Sequence, residues 1–126
     1  MGVRVFVVDD TEHVRNMLVE MLQLDGFDVV GQAESGPRAI DEMSESNPDV
    51  VVMDYKMPGM NGLATAKAIR AARPEQSIIL YTAYLDPVLE SLAREAGVAM
   101  CVGKVAGLRD LERNISELCW DLGRAG

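Results

Sequence analysis

Three carboxylates, one hydroxyl and one ammonium each follow an apolar run in this sequence. Asp9 and Asp10 follow Val3–Val8, and Asp54 follows Val50–Met53. Thr82 follows Ile78–Tyr81, and Lys104 follows Val98–Val102 and Gly103. If the runs are strands of one parallel sheet, all five groups gather on a single rim, where open α/β sheets place their ligand chemistry. Carboxylates held together repel and raise one another's pKa, a cost that a hard divalent cation removes. Oxygen donors with no histidine or cysteine among them favour Mg²⁺, with Mn²⁺ as its substitute. A carboxylate in such a nest can attack a phosphoryl group and become an aspartyl phosphate. The metal, the hydroxyl and the lysine would stabilise the phosphoryl oxygens as charge develops on them.

Each group also has a plainer use. Asp9, Asp10 and Thr11 are good N-cap residues for the helix that follows them. Thr82 alone can simply close a strand, and Lys104 alone can be a solvated charge. The conjunction is more specific than any of its members.

The elements that must position these groups read clearly. Val50–Met53 is an unbroken apolar run ending at Asp54, as in a strand buried on both faces. Val3–Val8, Phe27–Gln32, Ile78–Tyr81 and Val98–Val102 supply four further strands. Between them, apolar residues recur at helical spacing. Val14, Met17, Leu18, Met21 and Leu22 form the first stripe, predicted to face the core and closed by Asp25-Gly26. Ala39, Ile40 and Met43 form the second, closed by Asn47-Pro48, and Leu63, Ala66, Ala68 and Ile69 the third, stopped before Pro74. Val88, Leu89, Leu92, Ala93 and Ala96 follow Pro87, which suits a first helical turn. Leu108, Leu111, Ile115, Leu118 and Leu122 mark the last helix, with Trp120 as packing near its end. Five strands alternating with five helices imply right-handed crossovers and one parallel sheet with helices on both faces.

The 126 residues suit one domain, read as 1–126 with an ordered core from about residue 3 to residue 122. A net charge of −8 sets the chain against DNA phosphate and anionic membrane, so direct nucleic-acid binding by this domain is not expected. The two cysteines, Cys101 and Cys119, lack the spacing of a disulfide framework or a zinc site, and His13 is the only histidine. Reduced thiols, no signal peptide and no apolar run near ~20 residues point to a cytoplasmic protein that does not span a membrane.

The motifs Val7-Val8-Asp9-Asp10, Met53-Asp54-Tyr55-Lys56-Met57-Pro58-Gly59-Met60-Asn61-Gly62, Tyr81-Thr82-Ala83 and Gly103-Lys104, in that order and spacing, resemble the response-regulator receiver domain of two-component signalling. The resemblance runs from about Val3 to Leu122. It implies a flavodoxin-like (βα)5 three-layer sandwich with sheet order 2-1-3-4-5. It implies that Asp54 is the phosphoacceptor, taking phosphate from a histidine kinase or a histidine phosphotransferase, and that Asp10 ligates Mg²⁺ directly and Asp9 mainly through water. The backbone carbonyl of Lys56 would be the third protein ligand, Thr82 the switch hydroxyl, and Lys104 the lysine that pairs with the phosphoryl group. Such a protein is a switch with slow self-phosphorylation and self-dephosphorylation chemistry rather than an enzyme.

Two positions depart from the family's usual pattern. Cys101 stands where a switching aromatic is common, three residues before Lys104, so the fourth helix and the loop before it are expected to report the change. Val105 stands where proline usually follows the lysine, and a trans bond is expected there. Lys56 and Tyr84 occupy positions that tune phosphoryl loss, and their long side chains are expected to shield the acyl phosphate. The reader would be a downstream protein or an output domain outside this chain, since the sequence ends soon after the fifth helix. The fourth helix, fifth strand and fifth helix offer a face through which two copies could dimerise. A phosphorylation-independent pseudo-receiver is the alternative. A phosphohydrolase of the haloacid-dehalogenase type is a further one, although its Asp-x-Asp pattern differs from the adjacent Asp9-Asp10.

Overall fold

A computed structural model describes residues 2–83, 85–104 and 108–121. Strands and helices alternate: β1 (Arg4–Val8), α1 (Glu12–Leu24), β2 (Asp28–Ala33), α2 (Gly36–Ser46), β3 (Val50–Asp54), α3 (Gly62–Ala72), β4 (Ser77–Thr82), α4 (Pro87–Glu95), β5 (Met100–Gly103) and α5 (Leu108–Asp121). All strand pairings are parallel, and the sheet order is β2-β1-β3-β4-β5. The expected flavodoxin-like order 2-1-3-4-5 is therefore the observed one.

Side chains on successive strand residues point to opposite faces, which splits the core in two. Phe6, Val8, Val51, Met53, Ile78 and Leu80 pack with residues of α2, α3 and α4. Val5, Val7, Val50, Val52, Ile79 and Tyr81 pack with Leu18 and Leu22 of α1 and Leu111, Ile115 and Cys119 of α5. The central strand β3 is buried along its whole length, as its unbroken apolar run requires.

The helix boundaries follow local chemistry. Gly26 sits at φ +91°, which lets the chain reverse after α1 at no side-chain cost. The α2 N-terminus is capped by the Ser35 hydroxyl, which accepts from the Arg38 N–H, with Pro37 in the first turn. Asp86 caps α4 in the same way, accepting from the Leu89 N–H at 2.9 Å, with Pro87 at the helix start. The turn at Asn47-Pro48 ends α2 as expected. Asn47 adopts the left-handed conformation (φ 44°, ψ 59°), and its N–H donates to the Met43 carbonyl.

Two predicted apolar stripes are wider than the faces that are covered. In α1, Leu18 and Leu22 are buried, whereas Met17 is 52% and Met21 39% exposed. In α4, Leu89, Ala93 and Ala96 pack inward, whereas Val88 and Leu92 are exposed. Residues four apart lie over one another on a helix, so the buried line through Leu18 and Leu22 leaves Met17 and Met21 on a flank the sheet does not reach. The first strand begins at Arg4 and the fifth at Met100, later than the apolar runs suggest. Leu122 and Val105 lie outside the described residues, as does the expected trans bond after Lys104. No described helix is long and apolar enough to cross a membrane.

Candidate functional site

The site lies where β1, β3, β4 and β5 end. Asp9 follows β1 directly and is buried, its N–H donating to the Ala33 carbonyl at 3.1 Å. Its Oδ1 accepts from the Thr11 N–H at 2.9 Å, and Arg15 of α1 donates to the Asp9 backbone carbonyl at 2.8 Å. These contacts fix both the main chain and the side chain of Asp9. Asp10 is the most open of the three carboxylates, at the entrance to α1. Thr11 occupies the N-cap position but makes no side-chain cap bond; Asp9 Oδ1 instead accepts from the Thr11 backbone N–H at the entrance to the helix. That local turn uses Oδ1 alone and does not account for Asp9 Oδ2, which faces Lys104.

Asp54 is the last residue of β3 and is buried at 8% exposure. The loop after it is held by Gly62, whose N–H donates to the Tyr55 carbonyl at 2.8 Å. A Cβ at position 62 would lie 2.7 Å from the Asp54 carbonyl oxygen, so the start of α3 approaches the site closely because this residue is glycine. One oxygen from each of Asp9, Asp10 and Asp54 lies within 4.8 Å of the others.

Lys104, just past β5, reaches into this cluster. Its Nζ is 3.5 Å from Asp54 Oδ1 and 3.8 Å from Asp9 Oδ2. Burial pushes the Asp54 carboxyl above its usual pKa; Lys104 pulls it down, Asp9 pushes it up, and the Lys56 backbone N–H bonds the carboxylate and lowers it. Desolvation wins that balance, as expected for a carboxyl removed from water.

The donor set fits a divalent cation. Asp9 Oδ2 is buried without a hydrogen-bond partner, although buried polar atoms are normally satisfied. It belongs to a group of oxygen ligands with no nitrogen or sulfur donor, the chemistry of Mg²⁺ or Mn²⁺ sites.

Thr82 ends β4, is buried, and pairs in register with Gly103. It lines a cavity of about 740 Å³ with Asp54, Lys56 and Lys104. Pro87, Val88 and Leu92 of α4 line the same cavity, so it joins the charged nest to the exposed apolar side of that helix. Cys101 is half-buried and packs against the core on the α2–α4 face, and burial with Glu90 nearby pushes its thiol pKa up. Tyr84 lies outside the described residues.

Three further residues contribute to the site without a signal in the sequence pattern. Arg15 was one polar residue in an amphipathic helix, and nothing in its spacing pointed to the Asp9 carbonyl. Gly62 closes the loop motif after Asp54, but no local pattern marks it as a point of close approach. Tyr81 was legible as a strand residue, yet its ring centroid lies 5.6 Å from Lys104 Nζ.

The family model "Response regulator receiver domain" matches residues 5–116. The response regulator GacA of Pseudomonas viridiflava is 37% identical over 114 residues, covering 90% of this chain and 53% of that protein. The chain thus spans about half the length of the GacA relatives it matches. The chemotaxis protein CheY of Thermotoga maritima is 37% identical over 97 residues, covering 77% of this chain and 81% of that one. The receiver domain of the response regulator NarL from Mycobacterium tuberculosis superposes with a TM-score of 0.82 at 31% identity, covering 99% of this chain and 98% of that one. With the parallel sheet in the order 2-1-3-4-5 and an acidic cluster at its rim, these matches lead to one conclusion: the chain belongs to the response regulator receiver domain family.

Proposed function

We propose that this domain is a phosphorylatable switch whose acceptor is Asp54. The observation that carries this reading is the clustering of Asp9, Asp10 and Asp54 within 4.8 Å, with the Lys104 ammonium 3.5 Å from Asp54. Asp9, Asp10 and Asp54, with the Lys56 backbone carbonyl, would hold Mg²⁺. When bound, the ion supplies positive charge that lets the carboxylates coexist and screens the incoming phosphoryl oxygens.

The chain's own residues do the rest. One Asp54 carboxylate oxygen forms a bond to phosphorus as the phosphorus–nitrogen bond of a phosphohistidine breaks. The electron pair goes to the departing imidazole, and Asp54 becomes an acyl phosphate. Lys104 is close enough to pair with a phosphoryl oxygen, and Thr82 lines the same cavity. Lys56, exposed and lining that cavity, limits the approach of water along the line of the new bond, and Tyr84 shares this shielding role.

The added charge, about −1.5 to −2, favours the arrangement of the β4–α4 loop in which Thr82 and Lys104 both bond the new oxygens. That differential bonding is what shifts the population. With Cys101 in place of an aromatic, α4 is the reporting element, because Val88 and Leu92 extend from the cavity to an exposed apolar surface. The donor is a histidine kinase or histidine phosphotransferase, and the reader is a downstream protein or output domain that engages α4, β5 and α5. A cytoplasmic location follows from this role.

Incubation with acetyl phosphate and Mg²⁺ tests the reading. Intact mass should rise by one phosphoryl group in the wild type and stay constant in Asp54→Asn. No gain in the wild type would leave a phosphorylation-independent binding module in its place.

A further inference from the structure

Lys104 stands at the end of β5, and Val105 follows it, so no proline ring constrains its backbone. Its two carboxylate contacts, at 3.5 and 3.8 Å, are longer than the ~2.7–2.9 Å of short charge-assisted hydrogen bonds. Two long ion pairs fix a flexible four-carbon side chain weakly. A third contact comes from an aromatic ring rather than a carboxylate. The ammonium lies 5.6 Å from the centroid of the Tyr81 ring, within the ~6 Å over which an aromatic face attracts a cation.

Tyr81 is well suited to be a platform. It is 9% exposed and packed with Val52, Ile79, Val102 and Leu111 on the α1–α5 face of the sheet. The β4–β5 register places Tyr81 opposite Val102 and Thr82 opposite Gly103, so the strand end that carries Lys104 is tied to the strand that carries the ring.

We infer that Tyr81 is a positioning residue for the phosphoryl site: its ring face holds the Lys104 ammonium beside Asp54. The inference rests on the proposed role of Lys104, but the contact can be measured without it. The ring does this work, not the hydroxyl, so phenylalanine should substitute. Burial pushes the phenol pKa up, which keeps the ring neutral beside the carboxylates.

Two readouts test this. The chain has three lysines, Lys56, Lys67 and Lys104. With ¹³C-labelled lysine ε-carbons, the Lys104 signal, assigned by Lys104→Arg, should be displaced upfield by the ring current in the wild type and in Tyr81→Phe. In Tyr81→Leu the displacement should vanish. An undisplaced Lys104 signal in the wild type overturns the inference even if both Tyr81 variants fail to fold.

The second readout is the rate of phosphoryl uptake from acetyl phosphate. Tyr81→Phe should stay within about two-fold of wild type, and Tyr81→Leu should fall roughly 3- to 30-fold, the range a cation–π contact accounts for. In a Lys104→Met background, Tyr81→Leu should cause no further loss. Equal losses with and without Lys104 would mean that Tyr81 is packing only and would overturn the inference, as would a Tyr81→Phe variant as slow as Tyr81→Leu. A displaced Lys104 signal in a wild-type protein that takes up no phosphate would support the contact while refuting the phosphoacceptor reading.

Discussion

The ammonium of Lys104 lies 3.5 Å from an oxygen of Asp54, although the two residues are fifty positions apart and reach the rim from different strands. The same ammonium lies 3.8 Å from Asp9. One cation thus faces two buried carboxylates, while Asp10 completes the acidic cluster nearer to solvent.

Lys104→Met should slow phosphoryl uptake by about 10²-fold, the loss typical of removing one preorganised charge from a reaction site. Initial rates with acetyl phosphate and Mg²⁺, followed by intact mass, check this. Circular dichroism should show the fold retained, because Lys104 is half-buried and lies outside the apolar core.

The raised pKa of Asp54 makes a prediction about pH. Burial is the main cause and Lys104 offsets only part of it, so ionising this carboxyl costs stability. The contribution of Asp54 is fully present below the ordinary aspartate value of 3.8 and is lost as pH rises through its higher folded-state value. In metal-free buffer, Asp54→Asn should therefore unfold at a higher temperature than wild type at neutral pH. The difference should shrink as pH falls below the ordinary value. Thermal melts across that range give the sign directly.

Mg²⁺ should raise the melting temperature of the wild type. At ten times Kd, mass action contributes roughly 1.4 kcal/mol to stability. Asp9→Asn removes a charged oxygen from the cluster and should weaken that response about ten-fold or more in apparent Kd. Titration of the melting temperature with MgCl₂ measures it, and an unchanged Mg²⁺ response in Asp9→Asn would place the ion elsewhere.

Burial along α1 separates two similar-looking residues. Leu18→Ala should cost about 2–5 kcal/mol, as truncations in packed cores do. Met17→Ala, at 52% exposure, should change stability by no more than about 0.5 kcal/mol. Urea unfolding of the two variants distinguishes the buried line from the uncovered flank.

Much of this architecture is legible in the sequence. The strands announce themselves because a parallel sheet covered on both faces needs unbroken apolar runs, and the polar residues that end those runs mark the rim. Asp9, Asp54, Thr82 and Lys104 could be placed on one edge from that logic alone. The uncovered flanks of α1 and α4 could not, because Met17 and Val88 look like core residues until the sheet's reach is known. The Tyr81–Lys104 contact needed the β4–β5 register, which no local pattern encodes. Arg15 reached the Asp9 carbonyl only once α1 was seated against the sheet.

The central claim is that the side chain of Asp54 itself becomes the acyl phosphate. Borohydride reduces an aspartyl acyl phosphate to homoserine, so treating the phosphorylated protein and mapping its peptides reports the residue directly. The account predicts homoserine at position 54, dependent on Mg²⁺ and absent when the phosphodonor is omitted. Homoserine at position 9 or 10, or phosphate carried only on a residue that borohydride leaves intact, would contradict it.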